Sequence, residues 1–595
     1  MRSFLLAAAS AAFPLCAGGQ VVGSGTHGQS PSAPNYQQPS VPPAPTYQLP
    51  SLLNPLDEPA SVAGGGEMFV RHIEVRGVKA FKPNVIESIV KPYENRMVSS
   101  AELQTLRITL TRLYIDKGFV NSGALLPDQQ SKDGLVIYQA VEGTLSRVEV
   151  TGPTKLSPHY ITARVLTHVD APLNISDLQY ALRYLQEDPN VLRLDAKLAP
   201  GDVLGQSTLR LNVEDQPRFS AGLSADNNHS ASTGEWEGTA TFGARDLTGY
   251  GEEWRGSVVR AGGDTEGSGV FSIPVNAHNA TFQAYFSTAN SSIIEQPFEA
   301  LNIEEKTRTY GFSLTVPLLD RLSNRFAVFL GAESDHSYTT LLGEPFSFSP
   351  GAQNGVSNVA VALGGLDWLI HGASSVTDLR VTYRHGINAL GATTNQPSKN
   401  DPFNPNPTGA DALFGLEQLQ FIFVQRLNGL SVFSHFNDRA QLIVRSTGQI
   451  TQEPLLVLEK FTIGGVDTVR GVPENLLVRD NGAAATIELQ LPIPGYRNQP
   501  SVHDLVIAGF VDYGRSWDKV DTATGNPNLN TTDPLYIVSA GLGLLWNPLR
   551  GLNAQVYWGR SIANNFNVNN DPLTFAPNDL QKDGYHVSVN YVFRR

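Results

Sequence analysis

The sequence predicts an all-β transmembrane barrel of 16 antiparallel strands, preceded by two small modules of mixed α+β structure. Three observations lead to this prediction. Helical spacing of apolar residues is confined to the first third of the 595 residues. An order of strand, helix, helix, strand and strand occurs twice within that third, which indicates two copies of one module. From residue 216 to residue 595, 16 segments alternate between apolar and polar residues, with turn residues between them.

Composition excludes several other classes of protein. The chain has 43 basic and 56 acidic residues, a net charge of −13, whereas nucleic-acid binders usually present a basic surface. Charged residues make up 17%, below the roughly 25% usual in soluble domains, as expected of strands with one apolar and one mildly polar face. The single cysteine excludes an internal disulfide framework. No run reaches 18 consecutive apolar residues, which excludes ordinary membrane-spanning helices.

The first residues are typical of an export signal. A basic start at Arg2 precedes the apolar run FLLAAASAAF, and small residues around Ala17 offer a cleavage site, so residues 1–18 are predicted to be a signal peptide. A buried first helix is the alternative, but the polar stretch that follows favours the signal. Residues 19–66 are rich in Gly, Ser, Pro and Gln, which predicts a linker or N-terminal extension without a core.

The two predicted modules span residues 67–143 and 144–215. In the first, MFVRHIEVRG is predicted to be one strand, and SSAELQTLRITLTRLYIDKGF is predicted to be an amphipathic helix capped by Ser99 or Ser100. In the second, VEVTG repeats the pattern of IEVRG, and NISDLQYALRYLQED is predicted to be the corresponding helix.

The predicted barrel spans residues 216–595. Its clearest strand, LYIVSAGLGLLWN, puts apolar side chains on one face and small or polar ones on the other. In VTDLRVTYRH the polar face carries Arg380 and Arg384, which favours a water-filled lumen over the core of a soluble sandwich, the alternative fold. A sheet in lipid must close, because an open edge leaves unpaired backbone groups in hydrocarbon. Aromatic residues near strand ends are typical of membrane interfaces: Trp254, Trp368, Trp546, Trp558 and Tyr591.

One connection, at about residues 461–482, is much richer in Gly than a turn requires, and the strand AGFVDYGRSW follows about forty residues later. Alternation directs Ile507, Val511 and Tyr513 to lipid, and Phe510 and Asp512 to the lumen. A guanidinium from Arg470 would match the Asp512 carboxylate as a two-pronged pair, and Gly471 would allow the tight turn that presents it. The residues alone leave open that Arg470 is a solvated loop charge and Asp512 an ordinary lumen residue.

These two segments resemble a known family. Val469-Arg470-Gly471-Val472 is similar to a Val-Arg-Gly-aromatic loop motif, and Phe510-Val511-Asp512-Tyr513-Gly514 is similar to a Phe-x-Asp-x-Gly strand motif. Both belong to the two-partner secretion transporters of the FhaC/ShlB/HecB type, within the BamA superfamily. Val472 departs from the aromatic residue usual at its position.

The resemblance implies that the two modules are POTRA domains in the periplasm of a Gram-negative bacterium and that the barrel lies in its outer membrane. It also implies that the loop at 461–482 folds into the lumen, where Arg470 forms a salt bridge with Asp512.

The function implied by the resemblance is a pore that recognises a large partner exoprotein and moves it from the periplasm to the cell surface. The expected partner is haemolysin- or adhesin-like and β-helical, with an N-terminal secretion domain, and its activation is left open. Outer-membrane lipid, periplasmic chaperones and the barrel-assembly machinery are further expected partners, without nucleotide, nucleic acid, cofactor or metal. An outer-membrane assembly factor of the BamA or TamA type is the alternative, but those usually carry more POTRA modules. The sequence has no Walker loop, HExxH or GxSxG pattern, so catalysis is not expected.

Overall fold

The computed structural model describes residues 66–129, 133–296, 298–348, 351–394, 409–427, 440–493, 504–520, 532–549, 551–566 and 580–594. The expected signal peptide and all but the last residue of the expected linker lie outside these ranges. The described residues form two compact units, one of residues 66–216 with 246–251, and the other of 217–245 with 252–594. Within the described part, no helix has the length and apolar character needed to cross a membrane.

The first module in the chain packs two helices against short strands. Helix α2 begins with a capping box, in which Ser99 and Glu102 satisfy each other's backbone N–H groups. Leu103, Leu106 and Leu110 on its buried face contribute to the module's core. The elements are β1 (Glu67–Val70), β2 (His72–Arg76), α1 (Pro83–Val90), β3 (Arg96–Ser99), α2 (Ser100–Asp116), β4 (Gly123–Leu125) and β5 (Leu135–Val141).

The prediction of one continuous strand at MFVRHIEVRG was wrong, because the segment changes partners at Arg71. Before this residue, β1 pairs with β3 in antiparallel fashion, and after it, β2 pairs with β5 in parallel fashion. The backbone N–H groups of Arg71 and His72 both donate to the Gly134 carbonyl, at 2.8 and 3.3 Å. The buried face shifts by one residue at this break, from Met68 and Val70 to Ile73 and Val75. Because Met68, Phe69 and Val70 are all apolar, the sequence fits either phase and does not reveal the shift.

The second module has the predicted order of strand, helix, helix, strand and strand. Its sheet has the order β6–β8–β7, so the last strand lies in the centre. Asn174 caps α4 by accepting a hydrogen bond from the Ser176 N–H, and Leu178, Leu182 and Leu185 bury the helix in the module's core. The elements are β6 (Thr144–Thr151), α3 (Pro158–Leu166), α4 (Ile175–Gln186), β7 (Val191–Pro200) and β8 (Gln206–Asp215).

Sixteen long antiparallel strands among the described residues close into a barrel, as predicted. Closure is made by the last strand and the first, from Ser588↔Asp226 to Arg594↔Ser220. The strands are β9 (Phe219–Asp226), β10 (Glu237–Arg245), β11 (Glu253–Arg260), β12 (Asp264–Pro274), β13 (Thr281–Ser292), β14 (Glu304–Arg321), β15 (Asn324–Leu341), β17 (Val356–His371), β18 (Ser375–Gly386), β19 (Gly415–Arg426), β20 (Gln441–Thr451), β23 (Asn481–Pro492), β24 (Asp504–Trp517), β25 (Leu535–Leu549), β26 (Leu552–Asn564) and β27 (Tyr585–Arg594).

Three shorter strands accompany the barrel. β16 (Glu344–Pro345) pairs with the end of β15, while β21 (Phe461–Ile463) and β22 (Leu477–Arg479) form a separate hairpin between β20 and β23.

The two faces of the barrel follow the predicted alternation. On β24, Ile507, Val511 and Tyr513 are exposed on the outside, whereas Phe510 and Asp512 are buried inside. The outward aromatics Trp254, Trp368, Trp546 and Tyr591 lie near strand ends, where a membrane interface would meet them.

Trp558 departs from this prediction because it lies in the middle of β26. Its register partner is Tyr585, the first residue of the shorter strand β27.

Candidate functional site

The candidate site is the long connection between β20 and β23, residues 452–480, which contacts strands on the lumen side of the barrel. Hydrogen bonds and ion pairs anchor both ends of this loop to the barrel. The Thr451 N–H donates to Asn481 Oδ1 at 2.8 Å, and Gln449 Nε2 donates to the Glu459 carbonyl at 2.7 Å. Lys460 Nζ lies 3.1 Å from Asp480 Oδ1 and 2.9 Å from Asp518 Oδ1. These bonds join the loop to the barrel wall before it reaches the predicted motif.

The tip of the loop makes a tight turn. The Thr468 hydroxyl donates to the Gly464 carbonyl at 3.0 Å and accepts from the Gly464 N–H at 2.8 Å. Gly471 has a φ of +82°, and a Cβ on it would lie 2.3 Å from the carbonyl carbon of Gly559 on β26. Only glycine meets both requirements at this position, namely a left-handed backbone and close approach to another backbone.

Arg470 and Asp512 meet at this turn. Arg470 Nε donates to Asp512 Oδ2, and Nη2 donates to Oδ1, both at 2.9 Å. The Arg470 backbone N–H donates to Oδ2 at the same distance, so one carboxylate holds both the side chain and the main chain of the loop. Both residues are almost fully buried. Such a two-pronged, charge-assisted pair is strong and geometrically specific.

A second carboxylate, which the sequence reasoning missed, completes the cradle of Arg470. Nη1 of Arg470 donates to Glu488 on β23, and Tyr557 Oη donates to the other Glu488 oxygen at 3.2 Å. The Arg470 guanidinium carbon lies 3.6 Å from the centre of the Phe510 ring, within reach of a cation–π contact. Arg445 lies 3.7 Å from Glu488, so two arginines face two carboxylates. The signal available in the sequence was a lone Glu on the lumen face of the strand AATIELQL.

The other motif residues form the surfaces through which the loop packs against the barrel wall. Val469 and Val472 are buried with Ile463 and Ile537 in one apolar cluster, so Val472 packs where the family motif has an aromatic ring. A Cβ on Gly514 would lie 2.8 Å from Val469 Cγ2. Gly514 therefore leaves the space that the loop occupies.

A further buried network, also missed, joins the start of the loop to strands β15 and β18. Arg384 on β18 has no exposed surface, and its Nη2 donates to Glu333 Oε1 on β15 at 2.8 Å. Its Nε and Nη2 also donate to the two Glu459 oxygens, at 3.2 and 3.0 Å. The sequence placed Arg384 on the lumen face, but it gave no indication that Glu459 would be its partner.

The described residues contain one grouping suited to a metal ion. His229, Asp264 and Glu266 bring their ligand atoms within 4.8 Å of one another. This grouping lies among the ends of β9, β10 and β12 rather than at the Arg470 pair.

Comparison with known proteins identifies the family to which this architecture belongs. A sequence model described as "Haemolysin secretion/activation protein ShlB/FhaC/HecB" matches residues 205–544, more than half of the chain. A model of the POTRA domain of the ShlB type matches residues 68–143.

Individual relatives agree with the family match. The chain is 22% identical over 418 residues to the outer membrane transporter CdiB of Dickeya dadantii, covering 68% of this chain and 69% of that one. It is 20% identical over 485 residues to the heme/hemopexin transporter protein HuxB of Haemophilus influenzae, covering 80% of each. In structure it is similar to CdiB from Escherichia coli, with a TM-score of 0.60 at 18% identity, over 91% of this chain and 93% of that one. This last likeness supports the shared fold.

Proposed function

The chain belongs to the haemolysin secretion/activation family ShlB/FhaC/HecB, and on that premise we propose that it exports one large partner protein through the lumen of its own barrel. It is an outer-membrane two-partner secretion transporter, with its N-terminal POTRA domain in the periplasm. The second module, residues 144–215, acts as a second POTRA domain, and the barrel begins at about residue 216. The chain works as a conduit and carries out no catalysis.

One observation above all supports this function. The loop at 461–482 is joined to the lumen wall by Arg470, which binds two carboxylates from neighbouring strands, Asp512 and Glu488. A charged loop seated inside a closed barrel would keep the resting pore narrow and could be displaced by a passing polypeptide. Removing one partner of a buried pair costs about 3–5 kcal/mol when the other charge stays buried, so binding of the correct partner would have to offset a penalty of this kind as the loop moves.

The partner would be recognised first by the POTRA modules. Strand β2 pairs only with β5, and β6 pairs only with β8, among the described residues. Each leaves a backbone edge to which an extended segment can add as a further strand, without a particular side-chain sequence. The segment Leu209–Val213 cannot accept a further strand in this way, because it lies in β8, which already has neighbours on both sides.

The partner expected from this mode of recognition is a large secreted β-helical protein, haemolysin- or adhesin-like, with an N-terminal secretion domain. It would cross the lumen unfolded and fold on the cell surface. Each segment that folds outside cannot return, so folding supplies the direction of transport without nucleotide. Activation of the partner by the transporter would be a separate step, which the activity of the exported protein would report.

The outer surface of the barrel would contact membrane lipid directly, since exposed apolar side chains such as Leu542, Leu544 and Trp546 line the outside of β25. Periplasmic chaperones and the barrel-assembly machinery would deliver the chain to this membrane. The last strand, β27, presents Tyr585, Val589, Tyr591 and Phe593 on one face and would carry the assembly signal.

Deletion of the gene tests this function. We expect the partner exoprotein to disappear from the cell surface and medium and to accumulate or be degraded in the periplasm, while other outer-membrane barrels keep their normal levels. Surface levels and barrel levels are both measured by immunoblot, with the deletion complemented by the intact gene as the control. Continued export of the partner would overturn the proposal. A general loss of outer-membrane barrels would instead favour an assembly factor of the BamA or TamA type.

A further inference from the structure

A group of acidic side chains and one imidazole lies at the barrel end where β9 finishes and β10 begins. Asp264 is the first residue of β12, Glu266 is two residues further on, and Glu237 is the first residue of β10. His229 lies on the connection between β9 and β10, and Glu305 is the second residue of β14. Distant parts of the chain thus bring one imidazole and several carboxylates to the same place.

The imidazole is fixed between two of these carboxylates. Its Nδ1 lies 3.1 Å from Glu237 Oε2, and its Nε2 lies 3.2 Å from Asp264 Oδ2. The Ser291 hydroxyl donates to the other Asp264 oxygen at 2.9 Å. A histidine that binds a metal through Nε2 commonly donates its Nδ1–H to a carboxylate, which fixes both the tautomer and the ring orientation. Glu237 and Ser291 stand in these supporting positions.

Within the part of the chain that the structure describes, several buried polar atoms of this group lack hydrogen-bond partners. Nε2 of His229 and Oδ2 of Asp264 lie within ion-pair distance of each other, and neither has a further partner among the described residues. Oε2 of Glu305, whose charge repels that of Asp264, has no hydrogen-bond partner among the described residues either. Asp264 is 1% exposed and Glu305 is 4% exposed, so water does not readily satisfy these oxygens.

We propose that His229, Asp264 and Glu266 bind a divalent transition-metal ion of the Zn²⁺ class. Zinc takes imidazole nitrogen and carboxylate oxygen at about 2.0–2.2 Å, and in its usual tetrahedral geometry two such ligands lie about 3.3 Å apart. The separation of 3.2 Å between Nε2 and Oδ2 fits two ligands that share an ion. The mixture of one imidazole with carboxylates favours a metal of this class over Ca²⁺, which prefers oxygen ligands alone.

The ion would join the connection that follows β9 to the start of β12. Since β9 is one of the two strands that close the barrel, this link would strengthen the barrel near its closure. A protonated imidazole is the competing cation. Burial alone would lower the pKa of His229, but Asp264 and Glu237 together raise it to about 10.

The test uses the full-length protein, purified in detergent, stripped with a chelator and then titrated with Zn²⁺. We expect one tightly bound Zn²⁺ per chain by calorimetry and elemental analysis, and a higher temperature for the heat-induced shift in gel migration. His229→Gln and Asp264→Asn should each weaken binding at least 100-fold, and Glu237→Gln should weaken it about 10–100-fold because it removes only the support of the ring. His336→Gln, which removes an imidazole beside Asn358 on another strand pair, is the matched control and should bind normally.

Wild-type protein that binds no Zn²⁺ would overturn the proposal and assign His229 to a charge-balancing role. Normal binding in the His229 and Asp264 variants would overturn it as well. If those variants do not fold, electron paramagnetic resonance of the wild-type protein loaded with Cu²⁺ decides the matter. Coupling to one imidazole nitrogen is expected, and a spectrum without nitrogen coupling contradicts the site.

Discussion

Arg470 has three hydrogen-bond donors directed at Asp512 and one at Glu488, so its removal leaves two buried carboxylates without their main partner. Truncating one member of a buried pair costs more than the pair contributes, because the remaining charge stays buried. We expect this cost to affect the loop and not the assembly of the barrel, because the strands of the wall are joined by backbone hydrogen bonds that do not involve Arg470.

We therefore expect Arg470→Ala to reduce export of the partner at least tenfold while the barrel still assembles. Asp512→Ala should have the same effect, and the double variant should be no worse, because the two residues act as one unit. Arg470→Lys should not restore export, since an ammonium group cannot form the two-pronged pair. Export is measured by immunoblot of the medium, and assembly by heat-modifiable gel migration.

Arg515→Ala is the matched control, because it removes an exposed arginine from the same strand as Asp512. Normal export by Arg470→Ala would contradict the role given to this residue. A double variant with clearly lower export than either single variant would show that the two residues act independently.

At the same scale, the sequence predicted Arg470 and Asp512 because both carry motif neighbours and because alternation directed Asp512 inward. Alternation also directed Arg384 inward, whereas Glu488 was missed, and the partners of neither residue were predictable. Contacts across the lumen depend on strand register and on the path of the loop, and neither is encoded in local periodicity. The pairing of Arg384 with Glu459 joins residues 75 positions apart.

The loop element depends on two glycines with different roles. Gly471 supplies the turn and lies against β26, whereas Gly514 leaves room on β24 for the loop to pack. An ordinary side chain at Gly471 would suffer both from its left-handed backbone, at about 1–2 kcal/mol, and from collision with the Gly559 backbone. The collision, unlike the backbone cost, can be relieved only by moving the loop away from the wall.

Gly471→Ala should therefore displace the loop and reduce export, together with a lower temperature for heat-modified migration. Gly343→Ala is a close control, because Gly343 has the same φ of +82° but no heavy atom of the described residues lies within 4 Å of its would-be Cβ. We expect the control to export normally, with at most the backbone cost in stability. Equal defects in the two variants would mean that close packing of the loop tip is unimportant.

Other elements show where local pattern was sufficient. The N-cap of helix α2 is Ser99, one of the two predicted candidates, because Glu102 completes the capping box with it. The strand MFVRHIEVRG was predicted as one element but is two, since its break is imposed by the distant carbonyl of Gly134. An element whose ends are set by its own residues was predictable from the sequence. An element whose ends depend on pairing with a distant strand was not.

On the scale of the whole molecule, period-two alternation predicted the closed barrel and its sixteen strands, because lipid outside and water inside impose opposite chemistry on the two faces. It did not predict the strand pairings at Arg71, the acidic group around His229 or the network at Arg384. Each of these depends on contacts between segments that are far apart in sequence.

The central claim is that the partner crosses the membrane inside this barrel. It is tested most directly by placing a photo-reactive amino acid at Thr382, on the lumen face of β18, or at its neighbour Val381, on the outer face. The partner is stalled during export by a stably folded domain at its C-terminus, and crosslinked products are detected by immunoblot. The account predicts strong crosslinking of the partner from position 382 and little from position 381. Crosslinking from position 381 alone, or none from position 382 while export proceeds, would contradict it.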